Sequence, residues 1–230
     1  MNILVINGSP KGKYSITLQT GNYLQILHPE HEFEILNAGQ SIKALEKDFS
    51  PALAAIEKAD LLLFSYPVYT FIAPCQLHRF IELLKAAKPD LSGKFASQIT
   101  TSKHFYDITA HRYIEENCYD LGLKYIHGLS ADMDDLTTGK GQADAEKFFE
   151  YLIWIMQGMM KADHKFYKSH GQYDFPQKQW PRMIAMYGVG ALLANPKLKA
   201  KMGNKMNEGM IMPYQKALEQ ARAKAKELVK

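Results

Sequence analysis

Cysteine is scarce in this sequence, because its 230 residues include only Cys75 and Cys118. Two thiols are too few for a disulfide framework, and they cannot supply the four ligands of an iron–sulfur cluster. The sequence also has no Cys-x-x-Cys pair. This scarcity fits a reducing compartment, so we expect a cytoplasmic protein.

Long apolar runs are absent as well. The densest stretch, from Tyr151 to Met160, is interrupted by Gln157 and Gly158, whereas a helix that crosses a bilayer needs about 20 apolar residues. The N-terminal Met-Asn-Ile-Leu-Val-Ile has no basic segment before its apolar run and so differs from a secretory signal. We expect no membrane span.

Charge is unevenly distributed along the chain. Residues 161–230 contain 14 Lys and Arg against 5 Asp and Glu, which leaves 14 basic and 19 acidic residues in positions 1–160. A basic tail could attract nucleic acid, but no helix-turn-helix, RNP or zinc-finger pattern accompanies it. A solvated terminal helix is the simpler interpretation, and we expect no nucleic-acid partner.

Several familiar catalytic motifs are missing. The Gly8–Gly12 spacing is too short for a nucleoside-triphosphate P-loop, and Tyr14 occupies the position of the magnesium-binding Ser or Thr. The dinucleotide fingerprint G-x-G-x-x-G does not follow the first strand, and H-E-x-x-H and G-x-S-x-G do not occur. We therefore expect neither a metal site nor a hydrolase.

The first 160 residues alternate strand-like and helix-like patterns, which favours a doubly wound parallel sheet. The predicted order of its five strands is 2-1-3-4-5, as in flavodoxin. The predicted strands are 3–6, 33–36, 61–66, 95–101 and 124–129, and the predicted helices are 15–27, 50–58, 74–88, 108–121 and 143–160. Residues 161–230 are predicted to form a helical extension with helices at 182–194 and 213–229. We interpret this extension as a lid or a dimer contact, and the alternative is a domain of its own.

The loop after the first strand is rich in glycine and hydroxyl residues. It contains Ser9, Ser15 and Thr17, and it leads into a predicted helix whose N-terminal end favours anions. This loop predicts a phosphate site, although a plain turn with a helix cap would explain it almost as well.

The loop after the third strand is unusually aromatic for a position that faces water. Ser65-Tyr66-Pro67-Val68-Tyr69-Thr70-Phe71-Ile72-Ala73-Pro74 combines two prolines with three aromatic residues. Such a loop can form an apolar slot for a planar heteroaromatic ligand. The alternative is that the aromatic side chains only cover the edge of the sheet.

Together, Gly8-Ser9-Pro10-Lys11…Ser15-x-Thr17 and Tyr66-Pro67-Val68-Tyr69…Pro74-x-Gln76-Leu77…Phe80-Ile81 resemble the flavodoxin-like NADPH-dependent FMN reductase family, which includes the iron–sulfur flavoproteins. The resemblance covers residues 1–160 and implies bound FMN, with the first loop on its phosphate and the second against its ring. The cysteine count excludes the iron–sulfur branch.

The resemblance assigns cofactor contacts residue by residue. Those expected at the FMN phosphate are Ser9, Lys11, Ser15, Ile16 and Thr17, and those expected at the ring are Pro67, Val68, Tyr69, Thr70 and Phe71. Family members often have a glycine in the third loop, whereas this chain has Thr101-Ser102-Lys103-His104. We expect Ser102 and Lys103 to reach the pyrimidine edge of the ring, with solvated loop residues as the alternative.

The implied activity is electron transfer from NADPH or NADH through bound FMN to a small acceptor such as a quinone or a flavin. No catalytic side chain is expected, because the flavin performs the chemistry. The resemblance also implies a homodimer. The alternatives are a flavodoxin-type electron carrier, a flavin-bearing interaction module without direct NAD(P)H reactivity, and a member of the fold that binds no flavin.

Overall fold

A computed structural model of the chain describes residues 1–102, 107–157 and 196–228. In the last range it describes side chains at positions 211–227. The predicted helix at 182–194 and the predicted contact residue Lys103 lie outside the described residues.

Six strands and seven α-helices are described. The strands are β1 (Asn2–Asn7), β2 (Glu32–Leu36), β3 (Leu61–Pro67), β4 (Phe95–Ser102), β5 (Lys124–Tyr125) and β6 (Leu129–Asp132). The α-helices are α1 (Ile16–Leu27), α2 (Ala38–Leu45), α3 (Ser50–Lys58), α4 (Cys75–Ala87), α5 (Ile108–Asp120), α6 (Gly139–Met156) and α7 (Pro196–Leu228). Two 3-10 helices cover Gly12–Tyr14 and Asp135–Thr137.

The sheet is parallel in every described pairing, and its strand order is β2-β1-β3-β4-β5, which confirms the predicted flavodoxin-like fold. β3 lies at the centre, and six of its seven residues are buried. Apolar side chains that alternate along β1 and β3 divide the interior into two clusters, one on each face of the sheet. Helices α2 to α5 cover one face, and α1, α6 and α7 cover the other.

The predicted fifth strand, 124–129, is divided into two pieces. Phe95 and Ala96 of β4 pair with Lys124 and Tyr125, and the pairing resumes at Ile99 with Leu129. One strand thus advances by three residues while the other advances by four, as in a β-bulge. Gly128 lies in the interruption, where an added Cβ would come 2.4 Å from the backbone oxygen of Gln98.

The described part of α7 belongs to the core. Tyr214, Ala217 and Ala221 form one buried stripe against side chains of α1 and α6. The Tyr214 hydroxyl donates a hydrogen bond to the Met133 carbonyl at 2.7 Å. The predicted start of this helix at Pro213 is wrong, because the helix begins at Pro196 and continues through Pro213.

Helix α2 is absent from the predicted elements, whereas α3 covers the predicted range 50–58. Among the described residues, no helix combines the length and hydropathy required for a bilayer crossing.

Candidate functional site

Three strands end side by side at the carboxyl edge of the sheet, and backbone hydrogen bonds connect the loops that follow them. The Gly8 N–H donates to the Ser65 carbonyl at 2.9 Å, and the Val68 N–H donates to the Thr101 carbonyl at 2.9 Å. The first loop (8–15), the loop after β3 and the end of β4 are therefore neighbours. Ligands of doubly wound sheets bind at this edge, where the winding changes direction.

The buried side chain of Asn7 organises the first loop. Its Nδ2 donates to the Gly12 carbonyl at 2.9 Å and to Asn37 Oδ1 at 2.9 Å, and its Oδ1 accepts from the Ser9 N–H at 3.2 Å. Two of these bonds hold the two ends of a short turn, and the third connects the turn to Asn37 at the start of α2.

Helix α2 packs directly against this loop through Gly39. A Cβ added at Gly39 would lie 2.3 Å from the Gly8 oxygen and 2.6 Å from the Ser9 carbonyl carbon, closer than real Cβ contacts. Gly12 has a φ of +55° in the same loop, a conformation that suits glycine. The two glycines allow the backbone to turn tightly beneath the N-terminus of α1.

The predicted contacts Ser9 and Ser15 are both buried within this loop. Ser9 Oγ accepts from the Lys11 N–H at 3.3 Å, and Ser15 Oγ caps α1 by accepting from the Leu18 N–H at 3.4 Å. A hydroxyl that accepts a bond keeps its own proton for a further bond. Ile16, partly buried, and Thr17, fully buried, begin α1 directly after this cap.

Lys11 is partly buried, and this burial lowers the pKa of its ammonium group below the ordinary value. A desolvated cation favours an anionic partner, because Coulomb attraction is stronger away from water. Positions 8–17 include two lysines and no acidic residue. The charge of the loop and the dipole of α1 both favour an anion.

The loop after β3 carries an aromatic ledge (69–72). Tyr69 and Ile72 form an isolated antiparallel bridge, and Thr70 and Phe71 between them have φ values of 53° and 73°. Positive φ is unfavourable for such residues and is concentrated at functional sites. Tyr69, Phe71 and Ile72 are 47%, 46% and 43% exposed, so the ledge presents an apolar surface beside the first loop.

Two of the other predicted ring contacts, Pro67 and Val68, lie at the root of this ledge. Pro67 ends β3 and is partly buried, whereas Val68 is buried and bonded to the end of β4. Thr70 is exposed at the tip. The structure thus places all five predicted ring residues on one side of the carboxyl edge.

The end of β4 joins the site from the other side. The hydroxyls of Thr101 and Thr17 are 2.5 Å apart, so β4 is tied to the first turn of α1. Either hydroxyl can be the donor of this bond, and the backbone N–H of Thr17 in the first turn of α1 is a further donor for a phosphate. Ser102 is buried, and its carbonyl accepts from the Met133 N–H at 2.9 Å.

The residues present fit FMN. An anion-favouring loop and a half-exposed aromatic ledge lie at the ends of adjacent strands, which matches a ligand with a phosphate at one end and a planar ring at the other. Each predicted contact except Lys103 lies on the described part of this edge.

Sequence reasoning missed four residues that shape the site. They are Asn7, Asn37, Gly39 and Thr101, and all of them position the first loop or α1. Asn7 and Gly8 directly follow an apolar run and are turn signals. Their partners Asn37 and Gly39 are distant in sequence, so no local pattern indicates these contacts.

Comparison with known proteins agrees with this geometry. Residues 1–110 match the family model described as NADPH-dependent FMN reductase. No curated protein sequence matches the chain.

Two solved structures show the same fold. General stress protein 14 of Treponema denticola, determined in complex with FMN, is 14% identical, with a TM-score of 0.52 over 66% of this chain and 98% of that one. An NADH:FMN oxidoreductase (EMOB) in its apo form is 15% identical, with a TM-score of 0.55 over 77% of this chain and 97% of that one. The matched segment 1–110 contains β1, the first loop, the aromatic ledge and β4, so the part of the chain that forms the site is similar to the NADPH-dependent FMN reductase family.

Proposed function

We propose that this protein is an FMN-dependent oxidoreductase that takes electrons from NADPH or NADH and passes them to a small acceptor, such as a quinone or a free flavin. The observation that carries the proposal is the contact between the two halves of the site. The first loop and the aromatic ledge follow adjacent strands, whose ends are joined through the Gly8–Ser65 bond.

The first loop would hold the phosphate. Lys11 supplies a positive charge, Ser9 and Ser15 supply hydroxyl protons, and the N–H groups at the start of α1 supply further donors. Burial disfavours the charged form of Lys11, and a nearby phosphate dianion would stabilise that form.

The aromatic ledge would lie against the ring. Tyr69 and Phe71 offer aromatic faces, and the backbone N–H groups of the loop can reach polar atoms at the edge of a ring. On the other side, Ser102 and Lys103 would approach the pyrimidine edge, where a positive charge favours the reduced cofactor.

Bound FMN would supply the hydride and electron transfer. The chain itself needs only to orient the cofactor and to leave one face of the ring open to substrates. The half-exposed ledge supports this arrangement, because a ring placed on it would have its opposite face toward solvent.

The experiment is anaerobic mixing of the FMN-loaded protein with NADPH, followed at the visible absorption band of the flavin. Rapid bleaching, and recovery of the band after a quinone is added, support the oxidoreductase. A flavin that binds but is not bleached would make the protein a flavodoxin-type carrier or a flavin-bearing interaction module. A protein that stays colourless after incubation with FMN would contradict the proposal entirely.

We further propose a cytoplasmic homodimer without a nucleic-acid partner, in which residues 161–230 contribute a dimer contact or a lid. The free thiols of Cys75, which is exposed, and Cys118, which is buried, support a reducing compartment. Analytical ultracentrifugation of the FMN-loaded protein tests the dimer, because a monomer at all concentrations would contradict it.

A further inference from the structure

A cluster of buried polar side chains lies beneath the carboxyl ends of β3 and β4, on the face of the sheet that α5 covers. Asp107 is fully buried at the start of α5, and His111 lies one helical turn later with 4% of its surface exposed. Buried ionisable groups are uncommon and costly unless they are paired. The FMN contacts proposed above do not use this pair.

Hydrogen bonds hold the Asp107 carboxylate as an ion. Its Oδ2 accepts from Thr100 Oγ1 at 2.8 Å and from the Ser130 hydroxyl, and it lies 3.4 Å from His111 Nε2. The bond and charge of His111 and the two hydroxyls lower the pKa of Asp107 against the opposing effect of burial. Asp107 does not cap α5 with its side chain, so its carboxylate is committed to this cluster.

The bonding of His111 is incomplete. Its Nε2 is 2.9 Å from Thr100 Oγ1. Because the single Thr100 proton is donated to Asp107, Nε2 must itself carry a proton and donate. Within the described residues, His111 Nδ1 and Asp107 Oδ1 are buried without hydrogen-bond partners. The histidine can therefore gain or lose a proton at Nδ1 without breaking its bond to Thr100.

The other titratable groups that face the pair keep one charge state near neutral pH. Burial and the neighbouring His111 charge lower the pKa of His127 to about 4, and its ring lies 5.9 Å from that of His111. Burial raises the pKa of Tyr66 on β3, Tyr125 on β5 and Cys118 on α5. These three groups stay protonated and neutral, so none of them takes up a proton near neutral pH.

The pair is connected to the site along β4. Thr100, which both members contact, precedes Thr101, and Thr101 bonds to α1 through its hydroxyl and to the ledge loop through its carbonyl. The side chains of Thr100 and Thr101 lie on opposite faces of the sheet, so a charge at the carboxyl edge acts on the pair through the buried sheet, where screening by water is weak.

We propose that Asp107 and His111 form a redox-linked proton site, which takes up a proton from solvent when the flavin is reduced. This inference rests on the proposed function. A hydride brings two electrons and one proton, so the site gains one negative charge for each hydride. That charge stabilises protonated His111, and solvent supplies the proton, so charge is balanced without another reductant or oxidant. Asp107 and His111 act through this charge and are positioning residues, not catalytic ones.

The experiment is a potentiometric titration of the FMN-loaded protein between pH 6 and pH 8, which does not require NADPH. The midpoint potential of the wild type should fall more steeply with pH than those of His111→Gln and Asp107→Asn, because both variants lose the linked proton. His31→Gln is the matched control, because it removes an imidazole beside β2 at the opposite edge of the sheet. Its midpoint potential should fall with pH as steeply as that of the wild type. Variants that bind FMN and reproduce the wild-type slope would overturn the proposal.

If neither variant binds FMN, histidine NMR spectra of the wild-type protein replace them. At pH 7 the His111 ring signals should shift toward those of a protonated imidazole when the flavin is reduced with dithionite, and unmoved signals would overturn the proposal. Failure of the proposed function is seen separately, as a flavin that NADPH does not bleach.

Discussion

The contact between α2 and the first loop makes Gly39→Ala a sharp test of the site. The new methyl group would lie 2.3 Å from the Gly8 oxygen, whereas ordinary contacts begin at 3.4 Å. The helix and the loop must therefore separate by about 1 Å, or the loop must deform. Both neighbouring atoms are backbone, so no side chain can rotate away.

The cost can be estimated from the packing change. Overpacking lowers the free energy of unfolding by about 1–3 kcal/mol, whereas alanine in place of a helical glycine raises it by about 0.5–1 kcal/mol. We expect a net loss of about 1–2 kcal/mol in the free energy of unfolding, and a decrease in Tm of about 2–8 °C for a chain of this size. Because the Gly8–Ser9 backbone must move, FMN affinity should fall at least tenfold.

Gly21→Ala is the matched control. Gly21 lies in the interior of α1, and its added Cβ would meet Val5 at an ordinary 3.6 Å. The free energy of unfolding of this variant should rise by about 0.5–1 kcal/mol, and its FMN affinity should equal that of the wild type. Thermal unfolding measures the first effect and quenching of FMN fluorescence the second. A Gly39→Ala protein with wild-type FMN affinity would refute the placement of the phosphate in this loop.

Three further changes probe other parts of the account. Phe71→Ala should weaken FMN binding about tenfold in fluorescence titrations, because an aromatic contact beyond simple burial contributes roughly 0.5–1.5 kcal/mol; unchanged binding would remove the ledge from the site. Burial lowers the pKa of Lys11, so between pH 7 and pH 10 FMN affinity should begin to fall at a lower pH than an ordinary lysine would cause. Lys11→Met should bind FMN more weakly, with an affinity that stays constant over this range. Parallel loss of affinity in both proteins would contradict a contact between Lys11 and the phosphate. Tyr214→Phe removes the bond to the Met133 carbonyl and should lower Tm by about 2–4 °C, and an unchanged Tm would mean that this bond does not stabilise α7.

The strand order could be predicted because the central strands are almost entirely apolar. The run from Leu61 to Tyr66 is typical of a parallel strand covered on both faces, and the turns after β1 and β3 marked the carboxyl edge. These local patterns were enough to select the two loops of the site.

Helix α2 could not be predicted for a physical reason. Gly39 in its first turn lowers local helix propensity, and the reason for that glycine is a tertiary contact with Gly8 that no local pattern reveals. The predicted start of α7 is wrong because a local signal was misleading. Pro213 suggests a helix start, but it is exposed and lies within the helix, where water can satisfy the backbone carbonyl that loses its partner.

The roles of Asn7 and Thr101 also depend on distant partners. Asn7 bonds to Asn37, thirty residues away, and Thr101 bonds to Thr17, eighty-four residues away. Sequence patterns indicated the ligand-facing loops but not the side chains that hold them in place.

The most direct test of the two-ended site compares the affinities of FMN and riboflavin, which differ only in the phosphate, for the wild type and for Ser15→Glu. The wild type should strongly prefer FMN. In Ser15→Glu a carboxylate would face the phosphate at the start of α1, so this preference should collapse while riboflavin affinity stays the same. If Ser15→Glu keeps the wild-type preference for FMN, the phosphate does not bind in the first loop and the account of the site is wrong.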